Sequence, residues 1–218
     1  MQSLAKKYYI SIVLIFLIFL PILLFFTADV PQRTLLKTAI SFITIVAFFI
    51  LIGQFLLSRI NRTMITLFKI SKIINIHKLI AYIVLPIFII HPFLIVFPRF
   101  FEAGPKPLES FIKMLTTFDS IGVVLGIITW ILMFILGLTS IFREKLNISY
   151  KNWKLLHGIL SLIFIISAAW HSIDLGRDIS IQMAVLIIVL TIIVSILLLK
   201  TYIFKKDKKL DTKGKVNG

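Results

Sequence analysis

Long apolar stretches separated by short polar ones run along nearly the whole sequence. Six of them are long enough to cross a hydrocarbon core of about 30 Å as a helix. We predict spans near residues 8–27, 36–57, 75–97, 119–142, 154–173 and 179–204. Backbone polar groups cannot stay unpaired in lipid, and the period-2 alternation of a membrane barrel is missing from the sequence. The pattern predicts an all-α integral membrane protein, with a six-helix transmembrane domain over residues 1–204.

Composition agrees with this prediction. The chain of 218 residues is 59% hydrophobic and 15% charged, whereas soluble domains have about 45–50% apolar and about 25% charged residues. The first apolar run follows Lys6 and Lys7, as in a signal peptide. However, it is longer than the apolar region of a typical signal peptide, and the segment TADVPQ that follows it offers no cleavage site. We interpret it as a retained helix. The polar, basic segment 205–218 is predicted to be a disordered cytoplasmic tail.

The net charge of +15 is distributed by topology. If the termini and the even-numbered turns share one side, that side holds 18 of the 24 lysines and arginines. The positive-inside rule then places both termini in the cytoplasm. This distribution and attraction to anionic lipid explain the basic excess without nucleic acid. We predict a multi-pass protein of the bacterial plasma membrane.

The four histidines form two pairs with the same spacing. HKLIAYIVLPIFIIH begins at His77 and ends at His91, and HGILSLIFIISAAWH begins at His157 and ends at His171. Fourteen residues of helix come within about 40° of completing four turns and rise about 21 Å, so each pair lies on one helix face. The third and fifth spans run in the same direction. His77 is therefore predicted to lie level with His157, and His91 with His171, in two layers.

Two imidazoles per layer fit haem better than a free metal ion. Structural zinc needs four protein ligands and catalytic zinc needs three, but the chain has no cysteine and its carboxylates lie at span ends or in connections. Haem iron has two axial positions, which two histidines fill. The alternative is a structural role for each histidine, although ionisable groups inside a membrane span are usually functional.

Neighbours on the same helix faces are compatible with this interpretation. Ala81, Gly158 and Ser161 leave room for a flat ring beside the inner layer, or simply allow helices to approach closely. Phe88 and Phe164 are predicted to lie between the layers. Basic residues near each layer either pair with haem propionates or mark the membrane interfaces. They are Lys78, Arg143 and Lys154 on the inner side, and Arg99 and Arg177 on the outer side.

With its paired histidines and the lead YKNWKLLH before His157, the chain resembles the ferric reductase-like transmembrane domain family. That family includes ferric reductases, NADPH oxidases and the membrane haem subunit of bacterial methionine sulfoxide reductase systems. The resemblance implies two b-type haems stacked across the bilayer, with electrons moving from the cytosolic to the outer face. Many relatives have arginine where this chain has Lys78, and lysine cannot make the same bidentate contact.

Ferric reductases and NADPH oxidases continue after the last helix into a flavin- and nicotinamide-binding unit. Here only about fourteen mostly polar residues follow, without a glycine-rich dinucleotide fingerprint. The chain is therefore expected not to oxidise NADPH itself and to resemble most the stand-alone haem subunit. A flavin, if used, is expected to belong to a partner.

Three functional hypotheses follow. The first is a membrane cytochrome b that carries electrons from a cytosolic flavoprotein or quinol to an outer protein or small-molecule acceptor. The second is a terminal reductase of ferric chelates or oxygen at the outer haem edge. The third is a haem-free transporter or assembly factor, which the lack of carboxylates inside the spans disfavours.

Overall fold

A computed structural model of the protein describes the backbone of residues 2–31, 33–56 and 66–214. Within these ranges it also describes the side chains of the residues from 4 to 200. In these ranges all regular structure is helical. Six helical stretches are long and apolar enough to cross a membrane, as the hydrophobic pattern predicts. They are Leu4–Phe26, Leu35–Leu56, Ile70–Phe100, Ile121–Ile141, Tyr150–Leu175 and Ile181–Lys200.

The first span combines α1, a π-helical turn and α2, and shorter helices lie in two of the connections. The elements are α1 (Gln2–Leu14), the π-helical turn (Ile15–Phe19), α2 (Leu20–Phe26), α3 (Leu35–Leu56), α4 (Ile70–Val96) with a 3-10 turn (Phe97–Phe100), α5 (Pro107–Thr116), α6 (Ile121–Ile141) with a 3-10 turn (Arg143–Lys145), α7 (Tyr150–Leu175) and α8 (Ile181–Gly214).

Several helices begin or end outside the predicted spans, because capping and backbone bonding extend them beyond the apolar run. Helix α7 begins four residues before the predicted span, at Tyr150, where the Ser149 hydroxyl accepts a bond from the Asn152 N–H. Ser120 caps α6 in the same way. The α8 backbone runs on into the basic segment, and the disorder of residues 205–218 stays a prediction.

The core lies where α3, α7 and α8 meet. Phe49 and Ile52 of α3, Ile165 of α7, and Met183 and Ile187 of α8 are fully buried. Helix α6 packs along α7, and α3 packs along α4. Most other large apolar side chains on the spans face outward, as expected when the surrounding solvent is lipid. The protein is therefore a multi-pass helical membrane protein; which side is cytoplasmic stays a prediction from its charges.

Candidate functional site

The structure brings the predicted outer histidines together. His91 of α4 and His171 of α7 face each other with ring centroids 6.4 Å apart and planes at 89°. A metal–imidazole bond is about 2.0 Å long, so two such bonds and the two half-rings together span a distance of this size. One ion in line between the rings is compatible with this spacing.

A cavity of about 510 Å³ opens beside this pair, and both histidines line it. Its volume falls in the range of about 300–1,000 Å³ typical of small-molecule and cofactor sites. Most of the lining is apolar, including Phe48, Phe164 and Ala168. An apolar cavity next to two facing imidazoles suits a flat, largely apolar macrocycle.

The donor set also fits an iron that a porphyrin already holds. Among the residues described, no group of three or more histidine, cysteine, aspartate or glutamate side chains is placed to bind a metal ion. Two imidazoles alone do not complete a zinc site. They do complete the axial positions of haem iron.

Helix α6 determines how closely His171 approaches its neighbours. The His171 Nδ1 lies 2.9 Å from the Gly122 carbonyl oxygen, which can only accept, so Nδ1 carries the proton in this contact. A Cβ on Gly126 would lie 2.5 Å from Cε1 of the same ring. The His171 imidazole thus packs directly against the backbone of α6 at Gly122 and Gly126. The sequence analysis missed both; their spacing of four was visible, but glycine is common in membrane helices.

The surroundings of the inner histidines differ from those of the outer pair. His157 lies within electrostatic range of His77, and Trp153 stacks on its ring at 5.2 Å with planes at 25°. The His157 Nδ1 lies 3.4 Å from the Ser140 hydroxyl oxygen. On α4, the backbone carbonyl of His77 accepts a bond of 3.2 Å from the Gln54 side chain.

A second, smaller cavity lies next to the outer one. A cavity of about 40 Å³ is lined by Gln54 and Ala81, among others. Neither His77 nor His157 lines this cavity, so it is not the space between the inner histidines. The inner pair fits haem by its donor atoms, whereas the outer pair fits by donor atoms and by space.

Four side chains line both cavities and so separate them: Leu51, Phe88, Met133 and Phe164. Phe88 and Phe164 were predicted between the layers from their positions on the histidine-bearing helices. Leu51 and Met133 come from α3 and α6, so the histidine spacing carried no information about them.

The predicted outer basic residues lie at the cavity, and two further ones join them. Arg99 and Arg177 line it, as do Arg33 and Lys37. Arg33 is paired with Asp178, 2.6 Å away, and Lys37 is paired with Glu102. Arg99 donates a bond of 3.3 Å to a backbone carbonyl. Sequence analysis missed Arg33 and Lys37 because they follow the first span, far from either histidine pair in the chain.

The predicted inner basic residues are less closely associated with a site. Lys78 is exposed, and neither Lys78, Arg143 nor Lys154 lines either described cavity. The Arg143 guanidinium lies over the Trp153 ring, 5.7 Å from its centroid. Arg143 thus reaches His157 only through the intervening indole.

The carboxylate of Glu102 is held on the outer side by two donors. Hydrogen bonds from the Lys37 ammonium and the Thr34 hydroxyl lower the pKa of Glu102 below its ordinary value. Together with the Arg33–Asp178 pair, these contacts tie the connection before α3 to the connections after α4 and after α7.

Comparison with known proteins identifies similar sequences. The family model described as ferric reductase like transmembrane component matches residues 43–168, more than half of the chain. The matched segment includes His77, His91 and His157 and ends before His171. An uncharacterized protein of Archaeoglobus fulgidus is 34% identical over 173 residues, which cover 78% of this chain and 94% of that protein. No solved structure matches the chain.

Proposed function

Because the chain belongs to the ferric reductase-like transmembrane family, we propose that it is a b-type cytochrome that carries electrons across the membrane through two haems. The observation that carries the proposal is the facing pair of His91 and His171, 6.4 Å apart on the wall of a 510 Å³ cavity. Bound haem supplies an iron that takes up and releases one electron at a time.

In this proposal, His91 and His171 hold the outer haem, and His77 and His157 hold the inner one. Two histidines would hold each haem iron, so substrate would not bind the iron directly. Arg99 and Arg177, at the outer cavity, are the cations available to propionates because Arg33 and Lys37 already have carboxylate partners. The inner basic residues Lys78, Arg143 and Lys154 remain proposed propionate contacts for the inner haem.

The residues between the layers keep the route between the cofactors dry. Phe164 and Met133 are buried and, with Phe88 and Leu51, fill the space that separates the two cavities. Apolar packing here excludes water and keeps the electrostatic environment of each haem separate. We assign these side chains a packing role and no proton or ligand chemistry.

The proposed donor is a cytosolic flavoprotein or a quinol at the inner layer, and the proposed acceptor is a protein or small molecule at the outer face. A flavin would be supplied by the partner. The direction of electron transfer is the one that membership of the family suggests. The positive-inside rule places the inner layer at the cytoplasmic side, and the proposed location is the cytoplasmic membrane.

The test is a dithionite-reduced minus oxidised spectrum of the purified protein in detergent, with haem quantified per chain. Two b-type haems are expected. His171→Leu and His157→Leu should each remove one, whereas Tyr82→Leu, at a side chain on α4 that is 66% exposed, should remove none. Full haem content in both histidine variants would refute the ligand assignment. Absence of visible absorption after expression with ample haem would refute the cytochrome.

The outer cavity favours one further candidate, reduction of a ferric chelate or oxygen at the outer haem edge. Arg99 and Arg177 both line this cavity, and many ferric chelates are anionic. Protein reconstituted alone and reduced with dithionite should then reoxidise on addition of ferric chelate or oxygen. An electron carrier that needs a partner protein should stay reduced after the same addition.

A further inference from the structure

Helix α6 contacts both histidines of α7, one near each of its ends. Gly122 accepts a hydrogen bond from Nδ1 of His171 at the N-terminal end, and Ser140 approaches Nδ1 of His157 near the C-terminal end. The α4 histidines differ, since Nδ1 of His77 and Nδ1 of His91 are buried without a hydrogen-bond partner in the described part of the chain. In the described part of the chain, the Nδ1 atoms of the α7 rings therefore have a polar partner on a neighbouring helix, and those of the α4 rings do not.

At the outer end, two residues of α7, His171 and Asp174, form hydrogen bonds with the same residue of α6. Asp174 lies three residues after His171, so both project from one face of α7. The Asp174 Oδ2 accepts a bond of 3.0 Å from the Gly122 N–H, while the Gly122 carbonyl accepts the bond from His171. Gly122 is thus held from both sides by two residues of one helical turn.

Glycine is required for this approach. A Cβ on Gly122 would lie 2.8 Å from the Asp174 Cβ. Two non-bonded carbon atoms clash at that distance. The N–H and C=O of Gly122 belong to successive peptide groups, so the two bonds act by fixing the residue in place. The carboxylate also lies at the N-terminus of α6, where the helix dipole favours a negative charge.

We propose that Asp174 is a positioning residue for His171 that lowers the reduction potential of the outer haem; this inference rests on the proposed function. Its bond to Gly122 holds in place the carbonyl that accepts the hydrogen bond from the His171 Nδ1–H, and this leaves Nε2 of His171 available to iron. Its negative charge favours the oxidised iron, which carries one more positive charge than the reduced iron. If Asp174 only capped helix α6, its replacement would lower the stability of the protein but would leave the reduction potential of the outer haem unchanged.

The test compares three variants of the full chain in a redox titration followed by the visible spectrum, with haem quantified per chain. Asp174→Asn keeps an acceptor oxygen and removes the charge. Asp174→Ala removes both. Asp119→Asn makes the same charge change at an exposed residue just before α6 and is the matched control. The outer midpoint is identified as the one that His91→Leu eliminates.

In Asp174→Asn we expect both haems to stay bound and the outer midpoint to rise. The oxidised-to-reduced ratio at a fixed potential should change roughly tenfold, which is about 59 mV for a one-electron couple. The inner midpoint should stay at its wild-type value, and Asp119→Asn should move neither. Asp174→Ala should in addition change the spectrum of the outer haem, because His171 loses its fixed orientation.

Unchanged midpoints in Asp174→Asn, or equal shifts at both haems, would overturn the role of Asp174 while leaving the proposed function intact. A shift in Asp119→Asn as large as in Asp174→Asn would overturn it too. Wild-type protein without haem would instead overturn the proposed function, and the inference with it.

Discussion

Trp153 stacks on His157 with ring centroids 5.2 Å apart and planes 25° from parallel. The indole is itself held, since its Nε1–H donates a bond of 3.0 Å to the backbone carbonyl of Thr139 on α6. Tyr150 and Trp153 stack on each other, and the Arg143 guanidinium lies over both rings. The inner imidazole is therefore oriented by an aromatic neighbour on its own helix, one turn away, and the outer imidazole by glycine carbonyl contact.

Replacing Trp153 is expected to weaken the inner haem selectively. Trp153→Leu removes both the stacking and the bond to α6, and the loss of a neighbour that orients a ligand weakens metal binding by about 10–100-fold. Haem per chain after gel filtration should fall, with the remaining spectrum belonging to the outer haem. Trp170→Leu is the control, because that indole lies on the same helix and is 55% exposed. Equal haem loss in both variants would contradict the prediction.

Adding one methyl group under His171 is expected to remove the outer haem. In Gly126→Ala the new Cβ would lie 2.5 Å from the imidazole Cε1, so the ring must leave its present position beside His91. The matched control is Gly137→Ala on the same helix, where the Cβ would meet the end of the flexible Leu85 side chain at 3.0 Å. Haem quantification should show a loss of one haem in the first variant and full content in the second. The reverse order would contradict the contact.

The six spans and the placement of each histidine pair on one helix face were predictable because both depend on local geometry. A helix of known rise places His77 and His91 on one face whatever surrounds it. Apolar length identifies the spans because lipid accepts no unpaired backbone. The ends were less predictable: capping by Ser149 lengthens α7 beyond its apolar run.

The lining of the site was not predictable because it depends on which helices become neighbours. In lipid, a span can be apolar all round, so its sequence does not mark the face that packs against protein. Met133 of α6 and Leu51 of α3 reach the space between the layers only because those helices pack beside α4 and α7. The Asp174–Gly122 bond and the place of Arg33 at the cavity depend on the same packing.

Replacing Arg33 is expected to destabilise the protein more than replacing Asp178, the residue with which it is paired. The Asp178 side chain is only 6% exposed, whereas that of Arg33 is 23% exposed. Arg33→Gln leaves a buried carboxylate without its cation and should cost about 2 kcal/mol. Asp178→Asn leaves a cation that water can reach and should cost less. Thermal unfolding in detergent measures both.

The control for that comparison is the exposed pair of Arg143 and Glu144. Their atoms lie 3.5 Å apart and the Glu144 side chain is 90% exposed, so Glu144→Gln should change the unfolding temperature little. A cost for Glu144→Gln equal to that of Arg33→Gln would mean that burial does not set the strength of the outer pair.

Acid is expected to weaken the outer connections through Glu102. The hydrogen bonds from Lys37 and Thr34 lower the folded-state pKa of Glu102 below its ordinary value of 4.5. A depressed folded-state pKa contributes stability above the unfolded-state value, and this contribution is lost as pH falls through the folded-state value. The unfolding temperature of the wild type should therefore exceed that of Glu102→Gln at pH 6 and above, with the difference shrinking below about pH 4.5.

Glu109→Gln is the matched comparison, because Glu109 is an exposed carboxylate on α5, on the same side of the bundle. Its unfolding temperature should follow that of the wild type at every pH. A gap between wild type and Glu102→Gln that stayed constant down to pH 3 would show that the Glu102 contacts stabilise the fold through packing and not through the charge of the carboxylate. A gap that closes below pH 4.5 assigns the acid sensitivity of the outer connections to this one carboxylate and its two donors.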